Sequence, residues 1–207
     1  MNRKLCFTQQ LNPRSKQFGF SLLELLTVLL ITVTVAAFAI PMVNSIAADM
    51  RVAGDVRNIA DQIALAKMRA ASDFTRARLY ADLNGNTYRV EIWNKAGAGS
   101  WVTEGPTKTL SSGITLGLSG LGTAPPNTQS TMAQAAACKT AAGATIANTA
   151  CVLFNSRGIP IDSTGSPTST DAIYITDGTS VMGVTVSAMG LFQTWRTQAA
   201  HASWMKL

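Results

Sequence analysis

From Phe20 to Ile40 the chain runs for 21 residues with a single formal charge, Glu24. As a helix this stretch would be roughly 30 Å long, about the thickness of a bilayer core. An apolar run of that length on every face needs lipid or protein around it, so it limits the fold more than any other feature. Residues 1–19, which precede it, carry Arg3, Lys4, Arg14 and Lys16 and no acid. That asymmetry predicts a cytoplasmic N-terminus and a single membrane pass. It also accounts for most of the charge. The net charge is +6, with 17 Lys and Arg against 11 Asp and Glu; less the four in residues 1–19, 13 basic residues face 11 acidic ones. A chain that loses its first 19 residues is therefore almost neutral, and the basic balance is no argument for nucleic acid.

Beyond Pro41, Ile46, Met50, Val56, Ile59, Ile63 and Met68 recur near helical spacing. Asp49, Arg51, Asp55, Arg57, Asp61, Lys67 and Arg69 fill other positions. The pattern predicts an amphipathic continuation of the same helix through residue 72, with a kink rather than a stop at Pro41. From Thr75 the period changes to two: Ala77, Leu79, Ala81 and Leu83 alternate with polar residues. Asn84-Gly85-Asn86 marks a hairpin, and Tyr88, Val90 and Ile92 continue the alternation. Shorter strands are expected near 101–103, 114–118, 152–155, 172–176, 181–187 and 191–196. Residues 120–143, rich in Gly, Ala, Thr, Pro and Gln, read as a long loop. The fold class expected is α+β: a long N-terminal helix (20–72, with 20–41 the membrane part) packed on a small antiparallel sheet domain (73–207).

Cys6 lies in the basic leader, whereas Cys138 and Cys151 lie far downstream. Removing the leader turns an odd count into one pair, and an even count in an exported domain suggests a Cys138–Cys151 disulfide rather than two free thiols. Such a bond would pin the end of the long loop to the strand at Cys151. The spacing is too wide for a C-x-x-C redox motif, and with His201 the only histidine a zinc site would lack ligands.

The boundary Gly19-Phe20-Ser21-Leu22-Leu23-Glu24 resembles the cleavage site of type IV prepilins and related pseudopilins. The resemblance covers about 50 residues and implies cleavage after Gly19 by a prepilin peptidase and N-methylation of Phe20. Glu24 then falls fifth and Pro41 twenty-second in the mature chain, both matching the family's pattern and implying roles in assembly. The implied partners are the peptidase, major and minor pilin subunits and the inner membrane. The implied location is the inner membrane with a periplasmic head, then a pilus or pseudopilus. Physically, a carboxylate near the middle of an apolar segment costs about 2.5–3.5 kcal/mol on insertion scales and should persist only with a partner. The freed amine of Phe20, on the same or a neighbouring subunit, would serve; the plainer alternative is a glutamate that snorkels to the interface. A secretory signal peptide competes, since Ala37-Phe38-Ala39 has the A-x-A form. Glu24 inside the apolar run and the long basic region argue against it.

A second resemblance covers the globular part. Val152-Leu153-Phe154-Asn155-Ser156-Arg157-Gly158 looks like the strand and turn of the minor pilins and pseudopilins grouped as the GspH/FimT family, and Val184–Gly190 looks like that family's last hairpin. Some members bind DNA through a basic Gly-Arg-x-Arg stretch. Here Gly190-Leu191-Phe192-Gln193-Thr194-Trp195-Arg196 has one arginine, so Arg196 and Lys206 are the residues left to a DNA-binding alternative. The functions implied are a minor type IV pilin, a minor pseudopilin of a type II secretion system, or a pilus-associated DNA receptor. All are non-enzymatic, with no cofactor and no metal expected.

Other chemistry finds less support. Asp82-Leu83-Asn84-Gly85-Asn86 begins like a calcium loop, but Thr87 occupies position six and Trp93 position twelve. Glycines 113, 117, 120 and 122 fit neither a P-loop nor a dinucleotide fingerprint. His201 reads as a surface tail residue. Trp195 and Trp204 flank Arg196 and Lys206, and packing explains them better than base stacking. Arg76, Arg78 and Arg89 read as a solvated strand face, with Glu91 and Asp82 near enough to pair.

Overall fold

The structure, a computed structural model, describes residues 19–207. The predicted leader through Phe18, including Cys6, lies outside the described residues. The chain divides into two compact units between Asn44 and Ser45.

The described part of the first unit is Gly19, Phe20 and Ser21 followed by the start of helix α1, Leu22–Ser72. Ser21 begins the helix by accepting, at Oγ, a hydrogen bond from the Glu24 amide at 3.1 Å. This is the N-cap of an S-x-x-E box, which satisfies one of the amides a helix start leaves free. Leu22–Ile40 is 19 residues long and apolar enough to cross a membrane, and every large apolar side chain in it is exposed. The helix is not interrupted at Pro41, so the expectation that proline would not stop it agrees with the structure.

In the second unit the rest of α1 packs on two antiparallel sheets. The first sheet has the order β3-β2-β1-β5-β6, built from β1 (Ala77–Asp82), β2 (Thr87–Asn94), β3 (Ser100–Thr109), β5 (Thr149–Phe154) and β6 (Pro160–Ile161). The second has the order β10-β9-β8-β7-β4, built from β4 (Thr115–Leu116), β7 (Asp171–Thr176), β8 (Ser180–Val186), β9 (Phe192–Gln198) and β10 (His201–Lys206). The chain is thus α+β, as its patterning implied.

One core joins the three layers. Val52, Val56, Ile59, Ile63, Ala66 and Ala70 of α1 meet Leu79, Val90, Val152 and Phe154 of the first sheet and Ile173, Ile175, Met182 and Val184 of the second. The helix face differs from the predicted one. Val56, Ile59 and Ile63 are buried, but Ile46, Met50 and Met68 are exposed, and alanines take their place in the stripe. Small residues let the backbone approach the sheets, whereas the longer side chains fall off the seam.

The β1–β2 hairpin forms where the turn signal lies. Asp82 Oδ1 accepts from the amides of Asn84 and Gly85, and Asn86 adopts the left-handed conformation (φ 50°). Asn86 Oδ1 accepts from the Leu116 amide, tying this turn to the second sheet. β3 is longer than expected because it is an edge strand, where Pro106 removes no ladder bond. β7 and β8 are buried along their whole length. The loop after β4 covers their second face: Met132, Leu118 and Leu121 pack with Tyr174, Val181 and Trp204. Gly183 leaves the room this needs, since a Cβ there would lie 2.2 Å from the Tyr174 ring.

Two expectations are corrected. The segment of His201 is not a tail but the edge strand β10, although His201 itself is exposed. Consequently the β8–β9 hairpin is not the last strand pair. Cys138 and Cys151 are joined by a disulfide with Cα atoms 5.0 Å apart, and the 120–143 segment is a loop containing only an isolated bridge, Lys139 with Thr145, among the described residues.

Candidate functional site

Three places carry the residues that the sequence singles out. The first is the start of α1. Gly19 and Phe20 precede the helix outside any regular element, and Phe20 is 82% exposed. Glu24 stands third in the helix, in its first turn. That corrects its expected place near the middle of the apolar segment. At a helix start a carboxylate meets the positive end of the macrodipole, and its burial in lipid costs less than at the centre. Pro41 lies within α1, beyond the Leu22–Ile40 stretch.

The second place joins the two motifs of the globular part. Gly158 (φ 71°) and Gly190 (φ 70°) sit in turns after β5 and β8 and meet at Lys67 of α1. Lys67 Nζ donates to the Gly190 carbonyl at 2.8 Å, and its stem lies against Gly158. A Cβ on Gly190 would be 2.5 Å from the Gly158 carbonyl oxygen. Glycine is needed there for both conformation and closeness. These motifs are therefore a docking point for the helix on two turns.

The third is the outer face of the first sheet, facing away from α1. The solvated reading of Arg78 does not hold. Its side chain is 5% exposed, and its Nη2 lies 2.6 Å from Glu91 Oε2. Nε donates to the same oxygen at 2.7 Å, and Nη1 donates to the Lys139 carbonyl at 2.7 Å. Arg89 binds the other Glu91 oxygen at 2.7 Å. The guanidinium of Arg78 stacks over Trp101 at 3.9 Å, that of Arg89 over Tyr80 at 3.9 Å, and that of Arg76 over Trp93 at 4.7 Å. Burial lowers the pKa of Arg78, and Glu91 opposes that shift. Asp82 does not join this network; it holds its own turn.

The 129–143 loop lies over this face, held by the disulfide and by Arg78, and a cavity of about 620 Å³ opens between them. Asp171 lines it from the start of β7, buried, with Oδ2 lacking any hydrogen-bond partner among the described residues. Burial, with a lesser repulsion from Asp162, raises its pKa from 3.8 to about 7. No motif pointed to Asp171. Its only sequence signal is an acid at the head of an otherwise apolar strand.

The DNA-binding alternative fares differently. Arg196 is engaged by Asp49 of α1 at 2.7 Å. Lys206 stands opposite Trp195 in the β9–β10 ladder, whereas Arg196 stands opposite Met205. Cross-strand partners share a face and neighbours alternate, so Arg196 and Lys206 project to opposite faces of the sheet. Trp195 is buried and donates Nε1–H to Thr185 Oγ1, and Trp204 packs on Tyr174 at 5.9 Å between ring centroids. Both tryptophans are packing residues here.

No protein-family model, curated protein or solved structure matches this chain.

Proposed function

We propose that the chain is a minor type IV pilin: a non-enzymatic subunit, processed by a prepilin peptidase at the inner membrane, that joins or primes a pilus through the first part of α1. The observation that carries this is the Gly19-Phe20-Ser21-Leu22-Leu23-Glu24 boundary, with Gly19 and Phe20 exposed and the helix starting at once behind them. Further support comes from Leu22–Ile40, whose large side chains have no cover among the described residues and on this reading lie in lipid before assembly and against other pilin helices after it. On this reading Glu24, in the first turn, pairs with the Phe20 amine of a neighbouring subunit. A type II secretion pseudopilin would share these features, and the identity of the neighbouring genes separates the two. The DNA-receptor alternative draws no support from Arg196, which Asp49 already neutralises.

The test is N-terminal sequencing and intact-mass analysis of membrane-extracted protein, together with filament fractionation. Phe20, N-methylated, should be the first residue, and Glu24→Ala should leave cleavage intact while lowering recovery in sheared filaments. A mature start at Ile40 would mean a secretory signal peptide and remove the proposal. Equal recovery of Glu24→Ala and wild type in filaments would leave Glu24 as a local helix-start residue.

A further inference from the structure

The cavity under the 129–143 loop, about 620 Å³ in volume, is within the usual span for small-molecule sites, and positive charge dominates its sheet side. Glu91 is shared by two guanidiniums: Arg78 holds Oε2 at 2.6 Å and Arg89 holds Oε1 at 2.7 Å. Two cations on one carboxylate leave one positive charge over. Arg76 and Lys139 add two more. Both side chains are half-buried, and neither has a hydrogen-bond or ion-pair partner among the described residues. They converge on one place. Arg76 stands two residues before Arg78 on the same face of the sheet, and Arg78 Nη1 donates to the Lys139 carbonyl at 2.7 Å. The Arg76 guanidinium lies over Trp93 at 4.7 Å, which uses its flat face and leaves the N–H groups at its rim free to donate. Charge partly withdrawn from water without a partner is costly, and an anion would relieve it.

The acids in the lining set the size of the ligand's charge. Asp162 follows β6, two strands from β1 in the sheet and so about 10 Å away. It is exposed, and its Oδ1 already accepts from the amides of Thr164 and Ser166. Asp171 belongs to the other sheet. With both acids ionised, one positive charge remains in excess, which favours a monoanion over a phosphate ester or a polyanion. The rest of the lining asks for an apolar body. Ala133, Ala136 and Ala137 of the loop face Leu153 of β5, and a bare inorganic ion would leave that space unfilled. The planar fork of Arg76 matches a carboxylate, which can take two parallel N–H bonds. We infer that this cavity binds a small organic monocarboxylate, its carboxylate on Arg76 and Lys139 and its apolar body against the alanines of the loop.

The full chain, in nanodiscs of zwitterionic lipid, is titrated with acetate, butyrate and hexanoate, and for comparison with butyramide, inorganic phosphate and a short oligonucleotide. Trp93 and Trp101 line the cavity, so tryptophan fluorescence reads its occupancy alongside saturation-transfer NMR of the ligand. Wild type and variants in the same discs share any partition into lipid. Butyrate or hexanoate should bind in the millimolar range or tighter, and about threefold or more tighter than acetate. Butyramide, of the same shape without the charge, should not bind. Arg76→Gln and Lys139→Gln should each weaken binding about tenfold. Arg76→Lys, which keeps the charge and loses the fork, should weaken it less. Ala136→Trp fills the cavity from an exposed loop position and should abolish binding, with thermal midpoints checked to show that each variant is folded. Three results would overturn the inference: no carboxylate binds; butyramide, phosphate or the oligonucleotide binds as tightly as butyrate; or a folded Arg76→Gln, Lys139→Gln or Ala136→Trp variant binds as wild type does.

Discussion

Between Leu22 and Ile40 every large apolar side chain of α1 is exposed, whereas Val52, Val56, Ile59 and Ile63 of the same helix are at most 1% exposed. The two stretches also treat charge differently. The first contains Glu24 alone. In the second, Asp49 pairs with Arg196, Asp55 accepts from the amide and hydroxyl of Ser111, Lys67 donates to Gly190, and Arg69 pairs with Glu104. One helical register thus serves two environments. A stripe of small and medium apolar residues with charges beside it suits a sheet surface on one side and water on the other. An apolar surface all round suits neither, and this one is long and apolar enough to cross a membrane.

This contrast is broken most directly by paired truncations. Ile59→Ala removes a fully buried side chain from the core shared by helix and both sheets, and should cost about 2–5 kcal/mol. Leu29→Ala, in the exposed stretch, should change the stability of the globular unit by less than about 0.5 kcal/mol. All four tryptophans, at 93, 101, 195 and 204, lie in that unit, so denaturation of the full chain followed by their fluorescence reports on it alone. Equal losses for the two variants would mean that the apolar stretch also supports the globular unit, and the contrast would fail.

The same residues show what the sequence made legible. The long apolar run, the change of period near Thr75, the hairpin at Asn84-Gly85-Asn86 and the pairing of Cys138 with Cys151 all rest on local pattern or parity, and each has its counterpart in the structure. The errors have non-local causes. Arg78 looked solvated because its exposed-face position in β1 was legible, but its cover was not: the carbonyl that receives it belongs to Lys139, 61 residues away. Met50 and Met68 looked like core because they are apolar, yet the sheets meet a stripe two positions away, at Val52, Ala66 and Ala70. β10 was missed because residues 201–206 alternate weakly and gain their place only by pairing with β9. In the candidate site, the S-x-x-E pattern from Ser21 to Glu24 went unread, although it is local. Asp171 had no such pattern, since only the fold decides which acid is left without a partner.

A second test sharpens the contrast between satisfied and unsatisfied charge. Asp55 and Glu91 are buried with partners; Asp171 is buried without one at Oδ2. Because burial raises the Asp171 pKa from 3.8 to about 7, the folded state keeps a proton that the unfolded state releases over that interval. The protein's stability is therefore highest, as far as this group goes, below the unfolded value, and falls as pH rises toward the folded one. The loss should reach about 3 kcal/mol between about pH 5 and about pH 8. Asp171→Asn should flatten that part of the stability–pH curve, so that the variant gains on wild type at the alkaline end. A wild-type curve that rises with pH over this range, or a variant curve parallel to it, would show that Asp171 is already compensated.

The smallest effect expected has the opposite sign and lies at the far end of α1. The two ends of this helix obey local rules unequally: Ser21 supplies a standard start, while Phe74 occupies the position after the last turn where glycine is favoured. The Thr75 amide reaches the Ala70 carbonyl at 3.1 Å and the Phe74 amide the Ala71 carbonyl at 3.4 Å, the paired bonds of a Schellman end. That geometry puts Phe74 at φ 48°, where a Cβ costs roughly 1–2 kcal/mol. The ring is 75% exposed, so packing returns little. Phe74→Gly removes the strain and adds about 0.5–1 kcal/mol of backbone entropy cost, for a net gain of about 0.5–1 kcal/mol. Phe74→Ala keeps the Cβ and loses only the exposed ring, and should be near neutral. The two substitutions measured together by denaturant midpoint separate backbone from side chain. A loss of stability in both would mean that the phenyl ring contributes more than its exposure suggests, and that this end of the helix is held by the side chain rather than by the two amide bonds.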